Sequence, residues 1–537
     1  MDFTFDPDTY RYPSRRHVVY GKNGMVATGN PLAAEAGLET LKKGGSAVDA
    51  AIAAAATLTV VEPNANGLGS DAFAIVYNEG RFRGINGSGP APRSMTIDAM
   101  KEKGFDKMPF RGICSITVPG AVATWWALHD EYGYLEFAED LKPAIRYASE
   151  GFALQPNVGQ HMGALIKEYQ KLAQEDEVYA SLLSTFAQFG NIPKTGDFLC
   201  LPYHSMTLQE IAATGRKSFY EGRVAEWICK YVQDFGGFLT EEDVASFQPE
   251  WVDTIRTTYG NLDVHELPPN GQGVAVLMAM NILKQLPNED AMSFEGIHRQ
   301  IEALKLALTD AKTYVTDPNF MKVGTDYLLS EDYAKERAAE ISDVAIDPQP
   351  HITPDLGGTV YLCTADAEGT MVSFIQSNYK GSGIVIPNTG ISLNNRAASF
   401  SMNPEDANCL EGGKRPYHTI IPGFLSMGSH PVGPFGIMGA MMQTQAHLQV
   451  VSNIVLDNLN PQEALDKPRW YWTGGKKVRV EKNFPADVVE KLRAAGHEVE
   501  VAEDSEGFGR GEMILKNSDS VYCGATEPRT DGHVAVW

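Results

Sequence analysis

Thr359 directly follows Gly357 and Gly358 in a stretch that reads PDLGGTVYLCTADAEGTMVSF over residues 354–374. A threonine hydroxyl is a weak nucleophile without a base beside it. The most compact base it can have is its own α-amine, once the preceding peptide bond is cut. An α-amine titrates near about 7.7–8.0, so a useful fraction is unprotonated at neutral pH and takes the hydroxyl proton directly or through a water. The same hydroxyl can cut its own precursor by attacking the Gly358 carbonyl, giving an ester that water opens, and two glycines lower the steric cost of that bend. Taken alone, the stretch favours a plainer reading: a glycine turn followed by the first residue of a strand.

Other chemistry-bearing residues are weaker. His418 and His447 stand outside any HExxH or Cys/His metal-ligand spacing and read as hydrogen-bonded structural histidines. EGFGRGE near Gly507 alternates glycines among acids without the strand–helix context of a phosphate cradle, so it reads as a loop. Six scattered cysteines without a C-x-x-C pair fit reduced thiols. The sequence implies no cofactor and no metal.

The elements that must position Thr359 change character at that residue. Before it, NPLAAEAGLETLKKGG (30–45) has helical spacing and closes on Gly-Gly, and SAVDAAIAAAATLTVV offers a Ser46 cap followed by strong helix formers. SFEGIHRQIEALKLALTDAKTYV from Ser293 reads as a longer amphipathic helix with the same kind of cap. From Thr359 onward TVYLCTAD, TMVSFIQS, GIVIPN, HTIIPGFLSM and PFGIMG are short β-type runs separated by Gly, Asn and Pro, before helical pattern returns at QTQAHLQVVSNIVLDN and PADVVEKLRAAG. Strands between helical segments predict a layered α/β architecture.

With 43% hydrophobic and 21% charged residues over 537 positions, the chain can bury a large core and carries no disorder signature. Its formal charge of −23 argues against nucleic acid or an anionic membrane as partner. The N-terminal MDFTFDPDTYRYPSRR lacks an apolar segment of the secretory kind. The most apolar run, from Ala47, carries Asp49 and is too short to span a bilayer, so the expected location is cytoplasmic.

Eight blocks, taken in order, carry more weight than any single motif. They are MVATGNPLAAEAGLETLKKGGSAVDAAIAAAATLTVVEPNANGLGSDAFAIVY, SITVPGAVATW, DLKPAIRYASEGF, FYEGRVAEWI, GGFLTEEDVASF, YVTDPNFM, TGISLNNRAASFS and YCGATEPR. Together they resemble the γ-glutamyltransferase family of N-terminal-nucleophile hydrolases over practically the whole chain. The resemblance implies a four-layer αββα sandwich and a precursor that cleaves itself. The family's processing block falls on GGTVYLCTADAEGTMVSF, seven residues upstream of Asp366, which puts the cut between Gly358 and Thr359. The pieces would be a large subunit, 1–358, and a small subunit, 359–537, folded together as one αββα unit.

Further positions follow from the resemblance one at a time. The second hydroxyl beside the nucleophile falls on Ser377, and a substrate-contacting Asn falls on Asn378 or Tyr379. The paired N–H donors of the oxyanion hole fall on Gly439 and Ala440, where a side chain is not needed. Departures fall on the substrate side. The family's Arg for an α-carboxylate is Ser88, its acids for an α-amine are Arg396 and Ser399, and its serine pair is His418 and Thr419. Losing these charges removes complementarity to a zwitterionic amino-acid head. Arg396 instead predicts a carboxylate or carbonyl on the substrate, or a surface arginine paired with an acid. The segment SMNPEDANCLEGG is shorter than the family's lid, which favours water over an amine as acceptor. PPNGQG (268–273), in place of a Ser/Gly-rich stretch, resembles the acylase-like and small-amide hydrolase branch.

The expected activity is therefore a γ-glutamyltransferase-like amide hydrolase or acyltransferase working through a Thr-acyl ester. The alternatives are an acylase or small-amide hydrolase acting on dicarboxylic monoamides, and a non-processing binding or scaffold homologue. Expected partners are a small-molecule amide, the two subunits of one precursor, and further copies of the processed heterodimer.

Overall fold

The computed structural model describes Asp6, residues 15–350 and residues 358–537. Gly357, the first glycine of the processing motif, lies outside the described residues.

Two antiparallel seven-stranded sheets form the centre. In the first, the nucleophile strand Gly358–Asp366 lies between Gly24–Thr28 and Met371–Tyr379, followed outward by Asp71–Asn78, Arg81–Asn86 and Glu250–Val252, with His533–Val536 on the other edge. The second runs Val19–Gly21, Tyr522–Thr526, Arg510–Lys516, His430–Met438, Gly423–Met427, Leu262–Glu266, Ile255–Tyr259. Segments from both sides of Thr359 contribute strands to each sheet, so neither part holds a complete layer.

Side-chain alternation along the strands divides the core. In the nucleophile strand Val360 and Leu362 face the helices, whereas Tyr361, Cys363 and Ala365 face the second sheet. On the neighbouring strands Phe374 and Ala74 face the helices, and Ile375 and Phe73 point inward. Helices Pro31–Lys42 and Ala47–Val61 cover the first sheet, and Gly273–Leu283, Phe294–Tyr314 and Met442–Val455 cover the second. The order helix, sheet, sheet, helix is the expected αββα sandwich.

The caps read from sequence at Ser46 and Ser293 form as expected, and Asn30 adds one that the sequence reading does not include. Ser46 and Asp49 make a reciprocal capping box, Asn30 accepts from the Leu32 N–H, and Ser293 accepts from the Gly296 N–H. The helix-rich segment before Thr359 also supplies part of both sheets; its strand Asp71–Asn78 shows no period because both faces are buried. The β-run boundaries and the long helix need correction. GIVIPN contributes only an isolated bridge, Val385 to Ser392, and the strand of HTIIPGFLSM starts at Gly423, after Pro422, which has no N–H to give a ladder. The Phe294–Tyr314 helix does not keep a charged face in water: Glu302 and Lys305 are both fully buried and pair at 2.8 Å.

Candidate active site

Thr359 stands one residue into its strand on the face turned toward the second sheet, and is 1% exposed. Its hydroxyl donates to Ser377 Oγ at 3.0 Å and lies 2.8 Å from the Gly358 carbonyl oxygen. The Ser377 hydroxyl donates to that same carbonyl at 2.8 Å and accepts from the Tyr379 N–H at 2.8 Å. Three oxygens thus meet at the Gly358–Thr359 peptide bond.

The ladder explains why they meet. Val360 pairs with Gln376, but Gly358 pairs with Tyr379, so one extra residue is accommodated opposite Thr359. This bulge re-aims the end of the strand, and Tyr379 takes the left-handed conformation, φ 66°, that a non-glycine residue seldom adopts. One strand further along, Ser377 pairs with Asp71. Thr359, Ser377 and Asp71 therefore form a row across three neighbouring strands.

Gly439 and Ala440 follow the strand His430–Met438 and precede the helix Met442–Val455, with φ 138° and 51°. No acceptor faces their N–H groups among the described residues. The Ala440 carbonyl accepts from Gln272 Nε2 at 2.8 Å, which fixes the turn. Left-handed backbone leading into a helix N-terminus leaves consecutive N–H groups open to a negative charge.

A cleft of about 330 Å³ is lined by Gly358, Gly439, Arg111, Lys380 and Arg510, together with Glu168 and Glu506. Arg111 pairs with Glu168 at 2.5 Å, and Arg510 approaches His161 Nε2 at 3.2 Å. Behind the cleft a chamber of about 10 Å³, room for about one water, is lined by Thr359, Glu62, Arg510 and Glu512. Burial pushes Glu62 up to about 8 against the opposing field of Arg510, and holds Glu512 well above the carboxylate range.

The substrate-side residues are placed differently from expectation. Arg396 is neither a surface arginine nor an open receptor: it is fully buried, with Nε 3.3 Å from Asp71 Oδ2, Nη1 donating to Thr419 Oγ1 at 2.9 Å, and its guanidinium 4.8 Å from the centre of the Tyr379 ring. His418 Nε2 lies 2.9 Å from the same Asp71 oxygen. Burial, reinforced by Arg396, holds His418 well below its ordinary range, so the neutral imidazole donates to the carboxylate. Burial alone pushes Asp71 up to about 7, and the nearby Arg396 works against that shift. The charge of Arg396 is thus already offset inside the protein. Ser88 is buried in a polar knot, 2.8 Å from Asn86 Oδ1 and accepting from Asn270 Nδ2 at 3.0 Å. Asn378 accepts from the Ser70 hydroxyl and donates to Ser392, so both ends of its amide are engaged. Ser399 closes the short turn Arg396–Ser399 and joins no part of this cluster.

His447 is structural, as expected: Nδ1 lies 2.9 Å from Glu266 and Nε2 accepts from the Ile437 N–H. The EGFGRGE loop has more to do than the sequence suggests, since Glu506, Gly507 and Gly509, with Ser505 just before it, line the same cleft as Gly358. Asp71, Glu62 and Arg510 escaped the sequence reading. The acid in GLGSDAF carries no local mark of a site, and only the register that brings it beside Ser377 marks it out.

The sequence model described as gamma-glutamyltranspeptidase matches residues 33–537. The chain belongs to the γ-glutamyltranspeptidase family. Within it, the chain is 34% identical over 527 residues to the glutathione hydrolase-like YwrD proenzyme of Bacillus subtilis (strain 168), covering 96% of this chain and 98% of that one. It is 31% identical over 528 residues to the oxamate amidohydrolase proenzyme of Klebsiella pneumoniae subsp. pneumoniae, with coverage of 96% and 98%. The crystal structure of cephalosporin acylase from Bacillus halodurans superposes with a TM-score of 0.96 at 49% identity, over 100% of this chain and 99% of that one. This family member is an enzyme with the N-terminal-nucleophile hydrolase fold, and acylases and amide hydrolases are among its relatives.

Proposed function

We propose that the protein is a self-processing amide hydrolase of the acylase type, acting on amides whose acyl group carries a free carboxylate. The observation that carries the chemistry is the meeting of Thr359 Oγ1, Ser377 Oγ and the Gly358 carbonyl oxygen within 3.0 Å.

Processing begins when the Thr359 oxygen attacks the Gly358 carbonyl carbon. The Ser377 hydroxyl, already donating to the carbonyl oxygen, stabilises the charge that builds there. The C–N bond breaks, nitrogen takes the proton, and the Gly358–Thr359 ester is opened by water. This leaves a Gly358 carboxylate and a free Thr359 amine. In turnover that amine accepts the hydroxyl proton while Oγ1 attacks the substrate amide. The oxyanion is stabilised by the Gly439 and Ala440 N–H groups. The amine product leaves with the proton, and water hydrolyses the Thr359 ester.

The substrate class rests on the cleft. Arg111, Lys380 and Arg510 supply cationic ends near Gly358; the Arg111–Glu168 pair is partly exposed, unlike the buried Arg396–Asp71 pair, and can share its guanidinium with a carboxylate on the acyl side. The expected zwitterion receptors are unsuited, because Ser88 is tied into its knot and Arg396 is offset by Asp71. Relatives named cephalosporin acylase and oxamate amidohydrolase agree with this choice. The γ-glutamyl reading keeps the support of the glutathione hydrolase-like relative and of more distant relatives named glutathione hydrolase. A panel of succinyl, glutaryl and oxalyl monoamides set against a γ-glutamyl anilide tests the choice. Faster turnover of the monoamides is expected; faster turnover of the γ-glutamyl donor would overturn it.

A further inference from the structure

A second polar cluster lies in the helical layer over the first sheet, where the reaction has no use for it. Asp49 sits in the first turn of helix Ala47–Val61, His129 in the last turn of Ala121–Tyr132, and Asp140 in the first turn of Phe137–Glu150. Both carboxylates are fully buried. His129 Nδ1 is 3.6 Å from Asp49 Oδ1 and 3.3 Å from Asp140 Oδ2. Among the described residues none of these three atoms makes a hydrogen bond, and neither oxygen of Asp140 has a donor.

Buried carboxylate oxygens without donors are costly and uncommon in a folded protein. The rest of the cluster is well held. Asp49 Oδ2 accepts from the N–H groups of Ser46 at 2.7 Å and Tyr134 at 2.8 Å, which turns Oδ1 toward the imidazole. The aromatic rings of Trp126 and Phe137 flank His129. Gly133 passes so close that a Cβ there would lie 2.5 Å from His129 Nδ1. Donor atoms are thus aimed at a common point by secondary hydrogen bonds and packing, as the outer shell of a metal site does. Around a tetrahedral ion with N and O ligands at about 2.0–2.2 Å, neighbouring ligand atoms stand about 3.3–3.5 Å apart. The 3.3 and 3.6 Å separations match that edge. An imidazolium would offset one of the two carboxylates, whereas a divalent cation offsets both. With 16% of its side chain exposed, His129 marks the way in and the side on which water would complete the coordination.

We propose that Asp49, His129 and Asp140 bind one divalent cation of the zinc or manganese class, which ties three helices together over the first sheet. Among the described residues the other buried grouping of this kind, His298, Glu302 and His497, is already closed. Its histidines bond each other at 2.8 Å, and Glu302 accepts from Lys305 and from the Ile346 N–H. No motif marks the proposed site, because its three ligands are spread over 92 positions.

The test uses the full chain, stripped with chelator, reloaded separately with Zn²⁺, Mn²⁺ or Co²⁺, and freed of excess ion by gel filtration. About one ion per chain is expected by elemental analysis, with a rise in thermal midpoint and, for Co²⁺, a visible absorption band that chelator removes. Asp140→Asn, which is nearly the same shape, and His129→Gln should each weaken retention by more than about tenfold. Folded wild-type protein that retains none of the three ions would overturn the proposal, whatever the variants do. Retention unchanged in both variants would overturn it equally.

Discussion

Arg396 Nε lies 3.3 Å from Asp71 Oδ2 in a fully buried pair, one strand away from the nucleophile's partner Ser377. A residue expected to face the substrate is thus turned inward and neutralised. Breaking such a pair from one side leaves an uncompensated buried charge, which costs about 3–5 kcal/mol. Asp71→Ala should lower the free energy of unfolding in urea by that amount. Loss of less than about 1 kcal/mol would mean that Asp71 does not offset Arg396.

Ser377→Ala should slow processing without abolishing it. The variant removes the hydroxyl that donates to the Gly358 carbonyl and accepts from the Thr359 hydroxyl. Losing about 1–3 kcal/mol of such stabilisation corresponds to roughly a 5- to 150-fold slower cut. Time-resolved mass spectrometry of freshly purified protein reads it, and an unchanged rate would remove Ser377 from the mechanism.

How much of this was legible in the sequence differs between the fold and the site. Local rules located the helix over 30–45 by its spacing and Gly-Gly close, the capped helices at Ser46 and Ser293, and the two strands after Gly358, because capping and turn chemistry act over a few residues. Which face Arg396 presents, and whether it meets an acid, depends on a contact with a residue 325 positions away, which no local pattern encodes. Glu62 and Arg510 are hidden for the same reason: they meet at the chamber beside Thr359 only once both sheets have formed. The departures from the family pattern did identify the substrate side as altered, without showing that the substituted residues bond to one another.

Arg111→Ala should raise KM for carboxylate-bearing amides by about tenfold and leave kcat little changed, since a group remote from the scissile bond contributes uniform binding. Arg111 lines the cleft with Gly358. Comparable KM for an uncharged acyl amide in both proteins would complete the pattern. A kcat effect alone would contradict it.

Acid should destabilise the protein through its buried histidines. Burial holds His204 down to about 4, His265 to about 4 and His447 to about 3. Each is neutral in the folded state, while the unfolded chain takes up protons below about 6.5. At these three sites the unfolded chain therefore binds more protons as pH falls, so their contribution is full above about pH 6.5 and declines toward about pH 4, while the raised carboxylates of Glu62 and Asp71 contribute in the opposite direction. Urea midpoints across pH 4–8 measure this, and His447→Gln, if it folds, should flatten the decline. A pH dependence identical in wild type and a folded His447→Gln would contradict the assignment of a neutral, buried His447.

The central claim is that Thr359 cuts its own peptide bond and then serves as the nucleophile. Intact mass after incubation, with N-terminal sequencing of the fragments, tests it most directly. Wild-type protein should convert from a 58.6 kDa chain into two pieces, the smaller beginning at Thr359. Thr359→Ala should remain whole and hydrolyse nothing. A wild-type chain that stays uncut while hydrolysing amides, or a Thr359→Ala chain that is cut and active, would contradict the account.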